Sequence, residues 1–356
     1  LYLTRTVCDA LASYTEELAQ VNSTKMDVSM SNESAHESPG KPEGDSAAEP
    51  LYRLIRKIRP RPTFRELIAS CLRSTHMGDP FSDDGGALPP LPENVMSEVQ
   101  VREIAVGDIR CLIYSPTANT RKLPLMLYMH GGGFVIGDCE DVDYTARSLC
   151  FFNQIVVASV GYRLAPETVF PGQIADCEQV LKSLMSQHAE LNIDVSSLYV
   201  AGDSAGGNLA AALCHLVHPQ QLKIKGLIML APWLDMELEA YESYNRLAPT
   251  GIVFDAAFLA YARAAYVGFE QWKNPLVSPI HCSFVDMPPT IAFIGTEDPL
   301  LDQVLKLKNN ALLDGCESLE VQVYSHMPHC FYSFPNLFLE EADCYKRISD
   351  FICKTL

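Results

Sequence analysis

Val200-Ala201-Gly202-Asp203-Ser204-Ala205-Gly206-Gly207-Asn208 decides how this chain is read, because it places a serine at the apex of a Gly-x-Ser-x-Gly turn. Upstream, Leu198-Tyr199-Val200-Ala201 is short and apolar with a β-branched residue, as a buried strand requires. Downstream, Leu209 to Val217 is rich in Ala and Leu and reads as helix. The spacing predicts that Ser204 sits where strand hands over to helix, in the sharp turn called a nucleophile elbow. Gly202 and Gly206 suit that turn, since the backbone there passes too close to its neighbours to leave room for a Cβ. The pattern alone recurs by chance, and the flanking strand and helix give it weight.

A second stretch points the same way. Leu125-Met126-Leu127-Tyr128-Met129 reads as a buried strand and runs straight into His130-Gly131-Gly132-Gly133-Phe134. Three consecutive glycines after a strand leave backbone N–H groups unobstructed, as an oxyanion hole needs when a tetrahedral intermediate develops negative charge. Taken alone, the run also fits a flexible turn. The serine motif weighs against that reading.

His130-Gly131-Gly132-Gly133, Tyr162-Arg163-Leu164-Ala165-Pro166-Glu167 and Gly202-Asp203-Ser204-Ala205-Gly206-Gly207 together resemble the hormone-sensitive lipase family of α/β-hydrolases. The resemblance covers roughly residues 97 to 356, and three motifs in the right order make it specific. It implies an α/β-hydrolase fold, a mainly parallel central sheet with helices on both faces and a helical cap. It also implies an oxyanion hole from the N–H groups of Gly131, Gly132 and Ala205. The periodicity agrees with the fold. Strands at 99–105, 109–114, 125–129, 155–160, 198–201, 224–230, 291–294 and 319–324 alternate with helices at about 141–152, 174–189, 209–217 and 300–313. Between Leu234 and Trp272 the alternation lapses into Glu-, Tyr- and Ala-rich helical sequence, where a cap insertion at about 235–272 is expected.

Ser204 needs a base, and two histidines follow the last strand in Ser325-His326-Met327-Pro328-His329-Cys330-Phe331. The resemblance selects His329, because the family carries its base in a His-Gly-Phe triplet near the C-terminus. Cys330 replaces the usual glycine, which bears on the turn and leaves the imidazole in place. His326 reads as a loop residue and His130 as a structural support of the glycine loop. The third member comes from Asp298-Pro299-Leu300-Leu301-Asp302, which resembles the family's Asp-Pro-Leu-x-Asp. Asp298 would accept the imidazole N–H, fix its tautomer and stabilise the imidazolium. Glu297 and Asp302 read as a loop charge and a first-turn helix acid. The order Ser204, Asp298, His329 is that of the fold.

The implied chemistry is hydrolysis of a carboxylic ester, of short to medium acyl length, through a serine acyl-enzyme, with no cofactor and no metal. Phe134, Trp233 and Phe331 are candidates to shape the substrate pocket. A non-catalytic small-molecule receptor on the same fold and an amide deacetylase are the competing readings, and the presence of His329 weighs against the receptor.

Composition sets wider bounds. The 356 residues, 48% hydrophobic, suffice for a large core, and a formal charge of −17 with 44 acids against 27 bases argues against nucleic-acid binding. Twelve cysteines without a Cys-x-x-Cys pair fit reduced thiols in a cytoplasmic protein better than disulfides or zinc. The chain opens on Leu1 rather than Met, which fits a trimmed start, and no signal peptide or transmembrane-length apolar run is seen. Residues 1–90 read as N-terminal cap helices preceding the catalytic domain at 91–356. Within them, 1–21 is an amphipathic helix, 22–50 a flexible linker, and 77–92 the Gly/Pro/Asp-rich entry to the core. The basic amphipathic stretch 51–65 fits a helix laid on the catalytic domain, and is also compatible with weak contact to a membrane surface. A homodimer is compatible with the sequence as well.

Overall fold

The computed structural model describes residues 93–118, 121–217, 222–251, 253–285, 287–333 and 338–356. The expectations for 1–90 lie outside the described residues. In chain order the elements are α1 (Glu93–Glu98), β1 (Val99–Val106), β2 (Ile109–Pro116), β3 (Leu123–Met129), α2 (Asp143–Asn153), β4 (Val156–Gly161), α3 (Gly172–Ser186), β5 (Ile193–Asp203), α4 (Ala205–Val217) and β6 (Ile224–Leu230). After β6 come α5 (Glu242–Leu247), α6 (Ala256–Tyr266), β7 (Thr290–Glu297), α7 (Leu301–Leu313), β8 (Leu319–Pro328) and α8 (Leu339–Thr355).

The strands form one eight-stranded sheet in the order β1-β2-β4-β3-β5-β6-β7-β8. β2 runs antiparallel to both β1 and β4, and every pairing from β4 across to β8 is parallel. Parallel strands need covered faces, so their side chains are buried along almost the whole run. β4 is buried from Val156 to Val160, and β7 from Thr290 to Gly295. The two sheet edges differ. β1 is exposed through most of its middle and β8 is only partly covered, as strands at the two edges of a sheet can be.

This topology positions the chemistry. Because β3, β5, β7 and β8 all point the same way, the segments that follow them emerge on one edge of the sheet, the usual place for a site in an open α/β sheet. Those segments carry the glycine run, Ser204, Asp298 and His329. Helix α4, which begins at the elbow, is buried on nearly every side, with Ala210, Ala211 and Ala212 fully inaccessible. Its small residues let it lie close to the sheet, and removing Leu209 or Leu213 there would cost about 2–5 kcal/mol as a cavity.

The stretch 235–272 lies between β6 and β7 and contains α5, α6 and short 3-10 turns. Asp255 caps α6 by accepting from the Phe258 N–H at 2.7 Å. Arg263 of α6 bonds the Met236 carbonyl at 2.8 Å and forks onto the Glu239 carboxylate, which ties the insertion to itself. One expectation needs correction. His326 is not in a loop but within β8, exposed and at φ 62°, where the β7–β8 register shifts. The long C-terminal helix α8, which packs on the core through Cys344, Ile348 and Ile352, carried no sequence expectation.

Candidate active site

Ser204 sits between the last residue of β5 and the first of α4 with φ 52°, a left-handed conformation that a non-glycine residue adopts only under constraint. The constraint comes from both sides of the turn. The Ser204 N–H donates to the Leu230 carbonyl at 2.8 Å, and the Ser204 carbonyl accepts from Trp233 N–H at 3.0 Å and Asn208 N–H at 3.1 Å. A Cβ at Gly202 would collide with the Gly206 carbonyl, and one at Gly206 with the carbonyls of Met129 and His130. That is the close approach the sequence pattern requires.

His329 and Asp298 meet directly. The imidazole Nδ1 lies 2.7 Å from Asp298 Oδ2, with both side chains buried, and Asp298 Oδ1 accepts from the Leu300 N–H at 2.9 Å. Burial alone would push the imidazole down. The Asp298 carboxylate beside it, with a further contribution from Cys330, more than offsets this and holds it well above the ordinary histidine range. The other ring nitrogen, Nε2, is buried with no hydrogen-bond partner, so the Ser204 hydroxyl is not bonded to it here. Such bonds often tighten only when substrate is bound. Cys330 stands at φ 61°, so the left-handed turn that glycine would favour is kept with a thiol in place. The other acids have separate employment. Asp302 Oδ2 accepts from the Ser243 N–H at 2.7 Å, joining α7 to the insertion, and Glu297 lines the cleft beside His329.

The glycine loop is braced from below. His130 stacks on Tyr162 at 4.2 Å, its Nδ1 bonds the Gly131 carbonyl at 2.7 Å, and burial lowers the ring to about 4, so it is neutral at pH 7 and its Nδ1 carries the proton. The Tyr162 hydroxyl donates to the His130 carbonyl at 2.7 Å, and Ala165 N–H to the Phe134 carbonyl at 2.9 Å. Arg163 in turn is pinned to buried Asp176 by its backbone N–H at 2.9 Å and its guanidinium at 2.6 Å. The Tyr162–Glu167 motif is thus the scaffold under the loop. Gly132 has φ 110°, and a Cβ there would collide with the Ile136 carbonyl.

The oxyanion donors expected from the sequence, Gly131, Gly132 and Ala205, lie on the segments that follow β3 and β5, which pair as far as Met129 and Gly202. The Asp203 carboxylate lies against Gly131, where an added Cβ would collide with its Oδ2. Within the described residues no backbone acceptor is found for the N–H groups of Gly131 and Gly132. The pocket candidates change. Phe134 stacks on Tyr266 at 3.7 Å, Trp233 donates from Nε1 to the Asp235 carbonyl at 2.8 Å, and Phe331 packs on Tyr324 and Tyr332. All three are fully buried, and none lines the cleft beside His329. Val253, Phe254, Leu259, Pro299 and Leu300 line it instead. Phe254 sets its ring edge against His329 at 5.5 Å. The apolar run 253–259 was visible in the sequence, but nothing in it said that it would fold over the histidine.

Residues 126–333 match the family described as the alpha/beta hydrolase fold, a span that includes the glycine loop, Ser204, Asp298 and His329. The chain belongs to that family. An arylesterase of Saccharolobus solfataricus is 30% identical to this hydrolase over 250 residues, 69% of this chain and 80% of that protein. The carboxylesterase NlhH of Mycobacterium tuberculosis is 33% identical over 223 residues, 59% and 69% of the two chains. Among solved structures, a hyperthermophilic esterase from the archeon Pyrobaculum calidifontis superposes with a TM-score of 0.69 at 24% identity, covering 90% of this hydrolase and all of that chain. A hormone-sensitive lipase from a metagenome library gives 0.68 at 24% identity, covering 89% and 100%. These two likenesses concern the fold. Within the described residues of the hydrolase, no helix is long and apolar enough to cross a membrane.

Proposed function

We infer that this protein is a carboxylic ester hydrolase working through an acyl-enzyme on Ser204. Its esterase relatives support the activity. The observation that carries the mechanism is the buried His329–Asp298 pair at 2.7 Å on the same sheet edge as a strained serine turn. In this reading Asp298 accepts a hydrogen bond from Nδ1–H, which keeps the proton on Nδ1 and leaves the Nε2 lone pair to take the proton of Ser204 as its oxygen attacks the ester carbonyl. The oxyanion forms against the N–H groups of Gly131, Gly132 and Ala205. His329 then protonates the leaving alcohol, and a water deprotonated by the same nitrogen releases the acid.

In this reading the substrates are neutral esters with short to medium acyl chains, and Val253, Phe254 and Leu259 give the space beside His329 an apolar lining. Location in the cytoplasm, a homodimer, weak membrane-surface contact through 51–65 and a cap built from 1–90 and 235–272 belong to the same proposal. Buried unpaired thiols at Cys111, Cys139, Cys150 and Cys177 support the first of these. Hydrolysis of p-nitrophenyl butyrate by the wild type and by Ser204→Ala tests the reading. Loss of all but a trace in a folded variant is expected, and undiminished turnover would remove Ser204 from the mechanism.

A further inference from the structure

The acid that pairs with His329 stands at the head of a turn that does not close on itself. The Leu301 N–H donates to the Asp298 carbonyl at 3.1 Å, and the Gln303 N–H to the Leu300 carbonyl at 3.2 Å. In that series the Asp302 N–H would reach the Pro299 carbonyl, and a side chain from the insertion stands between them instead. The Ser243 hydroxyl of α5 accepts from the Asp302 N–H at 3.1 Å and donates to the Pro299 carbonyl at 2.9 Å. The Ser243 N–H donates in turn to Asp302 Oδ2 at 2.7 Å. One residue thus ties both ends of the turn, and it is only 2% exposed, so solvent does not stand in for its hydroxyl.

What the turn carries gives this tie its consequence. Buried Asp298 accepts from the Leu300 N–H through Oδ1, which leaves Oδ2 2.7 Å from His329 Nδ1. A buried carbonyl and N–H without partners are costly. Without the Ser243 oxygen the turn is driven to close Asp302 onto Pro299, and the carboxylate next to Pro299 moves with it. The same insertion reaches the base from another side, where Phe254 sets its ring edge against His329.

We propose that Ser243 is a positioning residue for the acid and base, its hydroxyl filling the open turn 298–302 and so fixing Asp298 against His329. This rests on the acyl-enzyme reading above. Ser243 acts through the geometry of the pair, without touching substrate or any reacting atom. Its loss therefore lowers turnover more than substrate binding.

Ser243→Ala removes the hydroxyl and keeps the N–H that bonds Asp302. Its kcat, counted per serine titrated with a phosphonate, should fall by about 10- to 10²-fold at a similar KM, since a misplacement near 1 Å costs about 10²-fold. The acidic limb of kcat/KM should move to lower pH, because a looser carboxylate raises the imidazole less. Asp298, Cys330 and Asp203 are the groups whose charge the imidazole feels, and Glu297 shares its cleft. All four are retained in the variant, so a moved limb reports the geometry of the pair. The downfield proton signal of His329 Nδ1–H should move upfield or disappear. Ser243→Thr keeps the hydroxyl and should recover most of the turnover, the limb and the signal.

Should Ser243→Ala not fold, the same tie can be opened from its other side. Asp302→Ala takes away the acceptor of the Ser243 N–H and should lower kcat, while Asp302→Asn keeps an acceptor oxygen and should regain most of it. Wild-type turnover in Ser243→Ala, or in Asp302→Ala where the former does not fold, would overturn the proposal. So would a loss of kcat with the acidic limb and the downfield signal in place, or a Ser243→Thr enzyme no better than Ser243→Ala. Activity surviving in Ser204→Ala would instead sink the acyl-enzyme reading. It would leave standing the downfield signal and its dependence on Ser243, which need only Asp298 and His329.

Discussion

Replacing Asp298 by Asn changes one atom, and the structure says which way the new amide will face. Asp298 Oδ1 is held by the Leu300 N–H at 2.9 Å, and a carboxamide can satisfy that donor only with its oxygen. Nδ2 is then forced into the place of Oδ2, 2.7 Å from His329 Nδ1. An N–H aimed at Nδ1 makes that nitrogen the acceptor and moves the ring proton to Nε2, where the serine proton has to go. The base is thereby locked in the wrong tautomer, for which the loss in turnover is about 10⁴-fold, or about 5.5 kcal/mol of transition-state stabilisation. The folded structure should survive, because volume and the Leu300 bond are kept.

The pH dependence gives a second signature of the same change. Asp298 raises the imidazole, and only the neutral ring can accept a proton. Wild-type activity is therefore present above the pKa of His329 and is lost as pH falls through it. Without the carboxylate that acidic limb should move to lower pH. Initial rates of p-nitrophenyl butyrate hydrolysis between pH 4 and 9 read both effects. Residual turnover above about a tenth of wild type, or an acidic limb that stays in place, would refute the assignment of Asp298 as the partner of His329.

Gly132→Ala should lower kcat by about 10²- to 10³-fold with a broadly similar KM, because φ 110° and the Ile136 carbonyl leave no room for the methyl group without turning the donor away. His329→Ala should lose nearly all turnover while His326→Ala keeps most of it, since the latter side chain is exposed on β8. Comparing the two on one ester checks the choice of base. Phe254→Ala should widen the cleft beside His329 and raise kcat/KM for longer acyl esters relative to acetate, as one methylene in an apolar pocket is worth about 1–3 kcal/mol. A profile over acyl length that does not move would take Phe254 out of the acyl site.

Local pattern carried much of this fold, and contacts remote in sequence supplied the rest. The alternation of β-branched runs with Ala- and Leu-rich helices is visible residue by residue, and the elements at 224–230 and 319–328 begin where their apolar periodicity does. β5 proves longer than its apolar part, since Asp194, Ser196 and Ser197 turn a local hydrogen-bonded knot at its start. Helix α8 was missed because it follows the last motif, and its apolar stripe had no expected partner. In the site, Ser204, Asp298 and His329 each follow a recognisable strand, and it was the resemblance that singled out the last two. Pocket residues were harder to read, because local pattern does not tell a core from a cleft. Aromatic side chains near motifs are as suited to the core as to a cleft, and Phe134, Trp233 and Phe331 went to the core.

The central claim is that Ser204 becomes covalently acylated during turnover. Mass spectrometry of the wild type, quenched during hydrolysis of a slowly deacylating ester and then digested, locates the acyl group directly. The account predicts one acyl group per chain, on the peptide that carries Ser204, accumulating in step with a burst of alcohol and absent from Ser204→Ala. An acyl group on Cys330 or any other residue, or a burst with Ser204 unmodified, would contradict it.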